Sequence, residues 1–91
     1  MFRLNPTSRF ERRLDVFRRK HPELRGKVAR IFRDLEADPF QPHLQTHPLH
    51  GALSEAHAVS VTREYRIVIT IRVTAREIEL LDIGTHDDVY R

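Results

Sequence analysis

Residues 65–73 read Tyr-Arg-Ile-Val-Ile-Thr-Ile-Arg-Val, the clearest period-two pattern in the chain. Every second position is aromatic or β-branched, and these positions alternate with a set that includes Arg66 and Arg72. Because successive side chains of a strand point to opposite faces, the pattern predicts a β-strand with one buried apolar face. The other face carries Arg66 and Arg72 into solvent or over a groove. We expect the rest of the fold to be built around this strand.

Residues 56–62 and residues 77–83 predict further strands on either side of it, joined to it by turns at Arg63-Glu64 and at residues 74–76. Three strands joined by short turns predict an antiparallel meander. We expect Gly84 to end the last strand, because glycine releases the backbone into a bend. Side chains that follow such a bend lie at the rim of a sheet, where functional groups are common.

The N-terminal part predicts a short strand followed by two helices. The first residues alternate between apolar and polar until Pro6, and Thr7 or Ser8 then provides a helix N-cap. The second helix starts after His21-Pro22 and ends at Asp38-Pro39. Apolar residues recur at helical spacing in both helices: Phe10, Leu14 and Phe17 in the first, and Leu24, Val28, Ile31, Phe32 and Leu35 in the second.

The order strand, helix, helix, strand, strand, strand predicts an α+β fold. In this prediction a helical hairpin packs on one face of a twisted, mostly antiparallel four-stranded sheet, and the other face stays open. With 91 residues, the chain has room for a single domain, residues 1–91.

Composition narrows the class of protein. The chain contains no cysteine, which removes disulfides and thiolate ligands together. No apolar run is long enough to span a bilayer and the N-terminus lacks the apolar core of a signal peptide, so we expect a cytoplasmic protein without membrane contact. The formal net charge is +3, and arginine outnumbers lysine fourteen to two. Arginine suits bidentate phosphate contacts and base stacking, so the composition favours RNA or DNA as a partner without deciding.

Two segments that contain histidine are candidates for a site. Residues 39–53 hold three prolines and three histidines, but the prolines prevent one helical face from gathering those histidines, which disfavours a zinc site. After Gly84, the chain presents Thr85, His86, Asp87, Asp88 and Tyr90 within seven residues. Histidine suits proton transfer because an imidazole titrates near neutral pH. The alternative interpretation of this ending is a solvated tail.

Three motifs follow the predicted helical hairpin. They are His47-Pro48-Leu49 with Gly51 and Leu53, the strand Arg63-Glu64-Tyr65-Arg66-Ile67-Val68, and the ending Asp82-Ile83-Gly84-Thr85-His86-Asp87-Asp88-Val89-Tyr90. In this order they resemble the RelE/ParE superfamily of bacterial toxins, in particular its RelE/StbE and YafQ-like branches. The resemblance covers most of the chain and implies a RelE-like fold.

The resemblance implies the toxin of a type II toxin-antitoxin system. Such a toxin is an endoribonuclease, or mRNA interferase, that cleaves mRNA, often in the ribosomal A site, and so inhibits translation until a cognate antitoxin binds it. The family uses no metal or small-molecule cofactor: the ribose 2′-hydroxyl attacks the adjacent phosphorus and leaves a cyclic phosphate and a free 5′-hydroxyl. That step needs a base, an acid and positive charge over the phosphorane.

By position, His86 matches the catalytic histidine of the YafQ-like branch, and Arg66 matches the strand arginine that holds the scissile phosphate. Tyr90 matches the C-terminal aromatic residue, which stacks on a base or orients the phosphate. The second proton-transfer group is His47 by its motif, with His57 as the alternative. Asp87 and Asp88 are expected to orient the histidine or to stay solvated. The candidate nucleic-acid contacts are Arg63, Arg66 and Arg72.

Two other functions stay open. ParE-like toxins share the fold and inhibit DNA gyrase by protein binding. A non-catalytic basic RNA-binding module is favoured by the strand at residues 56–62, which offers small side chains where other members of the family carry basic ones. The histidine of Gly84-Thr85-His86 favours the ribonuclease, because a binding toxin needs no titrating group there. In the toxin hypotheses, an acidic antitoxin segment is expected to cover the open face and pair with Arg66 and Arg72.

Overall fold

The structure, a computed structural model, describes residues 1–50 and 55–89. Three positions of the sequence motifs, Gly51, Leu53 and Tyr90, lie outside the described residues. The strands and helices follow one another as β1 (Arg3–Pro6), α1 (Ser8–Lys20), a 3-10 turn (Pro22–Leu24), α2 (Arg25–Ala37), a second 3-10 turn (Pro42–Leu44), β2 (His47–Pro48), β3 (His57–Ser60), β4 (Tyr65–Arg72), β5 (Glu77–Thr85) and α3 (His86–Val89).

The strands form one sheet in the order β1-β5-β4-β3-β2, with β4 at its centre. The pair β1 and β5 is parallel and the other pairs are antiparallel, which confirms the predicted α+β architecture. The sheet has five strands rather than four, because His47 and Pro48 pair with Ala58 and His57 at its edge. Proline fits there, since an edge strand can leave one backbone position without a donor.

The helical hairpin covers one face of the sheet, as predicted. The side chain of Thr7, the N-cap of α1, accepts a hydrogen bond from the backbone N–H of Phe10 at 3.1 Å and donates one to the carbonyl of Leu80 at 2.9 Å. Thr7 therefore both starts α1 and attaches it to β5. The buried core between helices and sheet includes Phe10, Leu14, Phe17, Val28, Ile31, Leu35, Val59, Ile67, Ile69, Ile78 and Ile83.

The opposite face of the sheet, here called the outer face, is not simply open. A second apolar cluster lies on it, formed by Leu49, Ala56, Ala58, Val68 and Val89, with Leu81 packed against it. Val68, which alternates onto the same face as Arg66, is 2% exposed. The expectation of an open face is wrong for this part of the sheet, because Val89 of α3 and Leu49, which follows β2, bring apolar side chains onto it.

The expectation that Gly84 ends the last strand is also wrong. β5 continues through Gly84 to Thr85, and α3 starts at the next residue. Gly84 pairs with Arg66 of β4, and an irregularity in register between Val68 and Ile69 accommodates one extra residue in β5. None of the helices within residues 1–50 and 55–89 combines the length and apolar character needed to cross a bilayer.

Candidate functional site

The site begins at the end of the sheet where β4 starts and β5 finishes. In register, Arg66 of β4 lies between Ser60 of β3 and Gly84 of β5. Arg66 is half-buried, and its Nε atom has no hydrogen-bond partner in the structure. No carboxylate among the described residues forms an ion pair with it, whereas Arg9 and Arg13 are both paired. A half-buried cation without a counter-charge is costly, so this position suits an anionic ligand.

His86 lies close in sequence to Gly84, the residue that pairs with Arg66. It is the first residue of α3 and follows Thr85 at the end of β5, two residues after the partner of Arg66. Its side chain is 62% exposed, and its Nδ1 atom lies 3.7 Å from Oδ1 of Asp87. The imidazole is therefore largely open to solvent.

A pair of reciprocal hydrogen bonds holds the turn that carries His86. The backbone N–H of Thr85 donates to Oδ2 of Asp88 at 3.3 Å, and the backbone N–H of Asp88 donates to Oγ1 of Thr85 at 3.2 Å. This is the capping-box arrangement, which fixes a helix start. Val89 at the end of the same short helix is buried in the apolar cluster on the outer face. Val89 thus anchors this turn on the sheet, while the side chains of residues 86–88 are exposed.

Asp82 and Arg13 link this turn to α1. Asp82 is 6% exposed and accepts a hydrogen bond from Nε of Arg13 at 2.8 Å, while Arg9 lies 3.3 Å from its other oxygen. Nη2 of Arg13 also donates to the carbonyl of Ile83 at 3.3 Å and lies 4.0 Å from Oδ2 of Asp88. Sequence reasoning assigned no role to Arg13 or Asp82. The signal at position 82 was a carboxylate that directly follows two leucines and precedes Ile83, whereas nothing local marked Arg13.

The two candidates for the second proton-transfer group lie on different faces. His47 pairs with Ala58, which places it on the outer face together with Arg66. It is exposed, and its Nδ1 atom lies 2.9 Å from the carbonyl of Gln45. His57 pairs with Ile69, so it lies on the helix-covered face. There its ring contacts Phe40 edge-on at 6.3 Å.

Only His47 of these two therefore shares a face with Arg66. Two strands, β3 and β4, separate its strand from β5. Three inter-strand steps of about 4.8 Å put roughly 14 Å between His47 and the strand that leads to His86. This separation keeps His47 away from the end of β5 that leads to His86.

The remaining candidates are spread out. Arg63 is exposed in the turn between β3 and β4, where it lines a cleft with Lys27 and His43. Arg72 lies at the other end of β4, six residues and about 20 Å from Arg66 along the strand. Tyr90 lies outside the described residues. In residues 1–50 and 55–89, no three His, Asp or Glu side chains are grouped to hold a metal ion.

No protein-family model and no curated protein sequence matches this chain. Solved structures do match it over nearly their whole length. YafQ from E. coli strain BL21(DE3) superposes with a TM-score of 0.84 at 12% identity, covering 100% of both chains. The E. coli DinJ-YafQ toxin-antitoxin complex gives 0.81 at 13% identity over 99% of this chain and 98% of that one. The YoeB/ParE toxin from Agrobacterium tumefaciens gives 0.79 at 20% identity over 94% and 99%. The chain therefore has the RelE/YafQ-like toxin fold.

Proposed function

We propose that this protein is the toxin of a type II toxin-antitoxin system and acts as an endoribonuclease on mRNA, at the ribosomal A site. The observation that carries the proposal is the position of Arg66. It is a half-buried guanidinium without a counter-charge among the described residues, and its strand partner Gly84 is followed two residues later by an exposed histidine. The fold supports the proposal, because solved structures of this fold include a YoeB/ParE toxin and a toxin-antitoxin complex.

The chemistry assigned to the site is attack of the ribose 2′-oxygen on the adjacent phosphorus. The O2′–P bond forms and the P–O5′ bond breaks, so one proton leaves the 2′-oxygen and one reaches the 5′-oxygen. Arg66 binds the non-bridging phosphate oxygens and stabilises the charge that builds up on them. His86 transfers the proton at one of the two reacting oxygens. His47 is the candidate at the other oxygen, because it shares the outer face with Arg66.

A cognate antitoxin is the second part of the proposal. In the E. coli toxin-antitoxin complex, a protein of this fold is bound to its antitoxin. Here we infer that an acidic antitoxin segment covers the outer face near Arg66 and His86, since a carboxylate would supply the counter-charge that Arg66 lacks within residues 1–50 and 55–89. Arg72, exposed at the far end of β4, extends the same face for a longer segment.

The test is cleavage of mRNA by the purified protein. In a translating extract, the purified protein is expected to cut mRNA and stop translation. The cut mRNA is expected to carry 5′-hydroxyl and cyclic-phosphate ends, because the ribose 2′-oxygen is the nucleophile of the proposed reaction. His86→Ala should lower the cleavage rate roughly 10²–10⁴-fold, the usual contribution of one proton-transfer group.

His43→Ala is the matched control, because this exposed histidine lies 2.8 Å from a carboxylate of α2, Asp34, and belongs to none of the strands. It should cleave like the wild type. Comparison of His47→Ala with His57→Ala then decides the second group, and we expect the loss in the former. If mRNA stays intact while gyrase supercoiling is blocked, the protein is a ParE-like toxin. Salt-dependent RNA binding without any cut product would make it a binding module.

A further inference from the structure

One side chain of α1 touches three parts of the segment that carries His86. Arg13 donates from Nε to Asp82 at 2.8 Å and from Nη2 to the carbonyl of Ile83 at 3.3 Å. The same Nη2 atom lies 4.0 Å from Oδ2 of Asp88. Asp88 is the residue whose carboxylate caps α3 by accepting the Thr85 N–H. Arg13 therefore contacts β5 before the turn and α3 after it.

Asp82 holds Arg13 in this orientation. Its Oδ1 atom accepts both the Arg13 Nε–H and the backbone N–H of Ile83, each at 2.8 Å, so the carboxylate is fixed on its own strand. Arg9 binds the other oxygen. The Arg13 side chain is 35% exposed, which limits the access of water to its hydrogen bonds. A planar guanidinium held at Nε has little freedom left, and its Nη2 atom is directed at the turn.

Gly84 makes room for this arrangement. A Cβ atom at position 84 would lie 2.8 Å from Nη2 of Arg13 and 3.0 Å from Cβ of Asp88. The missing side chain is thus replaced by the guanidinium of Arg13 and the side chain of Asp88. This packing gives a physical reason for a glycine inside a strand at this position.

We propose that Arg13 is a positioning residue for His86: through Asp82, Ile83 and Asp88 it sets where α3 starts relative to β5. The catalytic consequence rests on the ribonuclease function proposed above. His86 is the first residue of α3, so a shift of the helix start moves the imidazole relative to Arg66. A displacement of about 1 Å in a catalytic group can cost on the order of 100-fold in rate.

The test compares Arg13→Ala and Arg13→Lys with Arg12→Ala as the control. Arg12 is the exposed neighbour on the same helix and makes no hydrogen bond or ion pair within residues 1–50 and 55–89. In NMR spectra, Arg13→Ala should shift the amide signals of Thr85 and Asp88 and the ring signals of His86, while Arg12→Ala leaves them in place. Arg13→Lys should give intermediate shifts, because lysine keeps the positive charge but lacks the planar guanidinium with its several N–H donors.

Kinetics under fully folded conditions provide the second measurement. The cleavage kcat should fall roughly 10–100-fold in Arg13→Ala, with KM changed less than about threefold, because RNA binding at Arg66 is kept while His86 is displaced. A merely structural role would lower Tm and leave kcat per folded molecule unchanged.

Unchanged Thr85, Asp88 and His86 signals in Arg13→Ala would overturn the proposal. So would a loss confined to KM. If the wild type cuts no RNA, the proposed function fails, and the NMR comparison still decides the positioning role. If Arg13→Ala does not fold, Arg13→Lys carries both measurements, and wild-type signals with wild-type kcat in that variant refute the role.

Discussion

Replacing Gly84 by alanine introduces a methyl group where two side chains already lie. The new Cβ would be 2.8 Å from Nη2 of Arg13, 3.0 Å from Cβ of Asp88 and 3.2 Å from its Oδ2. Arg13 is a flexible side chain, but it is held by Asp82 and by the carbonyl of Ile83. Cβ of Asp88 belongs to the body of α3 and yields only if the helix start moves. Gly84→Ala should therefore loosen Arg13 and displace α3.

The magnitude follows from two opposing effects. Overpacking at a well-packed position costs about 1–3 kcal/mol of unfolding free energy. Replacing glycine within a strand returns roughly 0.5–1 kcal/mol, because the unfolded chain loses conformational freedom. We expect a net loss of about 1.5 kcal/mol, which for a domain of this size lowers Tm by about 6–12 °C.

Gly26→Ala is the matched control, since a Cβ at that helical position meets nothing within 4 Å. It should stabilise the protein by about 0.5–1 kcal/mol, because alanine is the better helix former. Thermal melting of the two variants, followed by circular dichroism, measures shifts of opposite sign. A Gly84→Ala protein as stable as the wild type would refute the packing argument. In the double variant with Arg13→Ala, the loss of unfolding free energy should be smaller than the sum of the two single losses. The reason is that Arg13→Ala removes the Nη2 atom that the new methyl group would meet.

Two further predictions concern β1 and the start of α1. Thr7→Ala removes the acceptor for the Phe10 N–H and the donor to Leu80, and should cost about 1–2 kcal/mol in chemical denaturation, with Thr7→Ser close to the wild type; an unchanged midpoint would contradict the capping role. The hydrogen bond from Asn5 at 2.8 Å, together with Arg3 at 3.3 Å, holds the pKa of Glu77 below its ordinary value of 4.5. The charged form of Glu77 therefore contributes stability above pH 4.5, and this contribution disappears as the pH falls through the lowered pKa. Glu77→Gln should melt below the wild type at pH 7 and approach it under more acidic conditions; a gap between the two that does not depend on pH would contradict the assignment.

The amino-acid sequence by itself determined the elements that rest on local periodicity. Alternation in residues 65–73 identified the central strand, helical spacing identified α1 and α2, and the order of elements indicated the α+β architecture. These features are readable because a strand repeats every two residues and a helix every 3.6. The Thr-x-x-Asp pattern at Thr85 is equally local, and it would have indicated the start of α3. The same alternation explains why His57 lies on the helix-covered face, because it is two and four positions from the core residues Val59 and Val61.

Only the tertiary structure decided how distant residues meet. Arg13 and Asp82 are 69 positions apart, and they bond because α1 packs along the end of β5. The structural role of Gly84 likewise depends on distant residues. Its small size allows Arg13 and Asp88 to approach closely, and it does not break the strand. The pairing of His47 and Pro48 with β3, too short to show a period, depends on a partner strand. Sequence patterns report which face a side chain occupies, whereas contacts across elements follow from packing that no local repeat records.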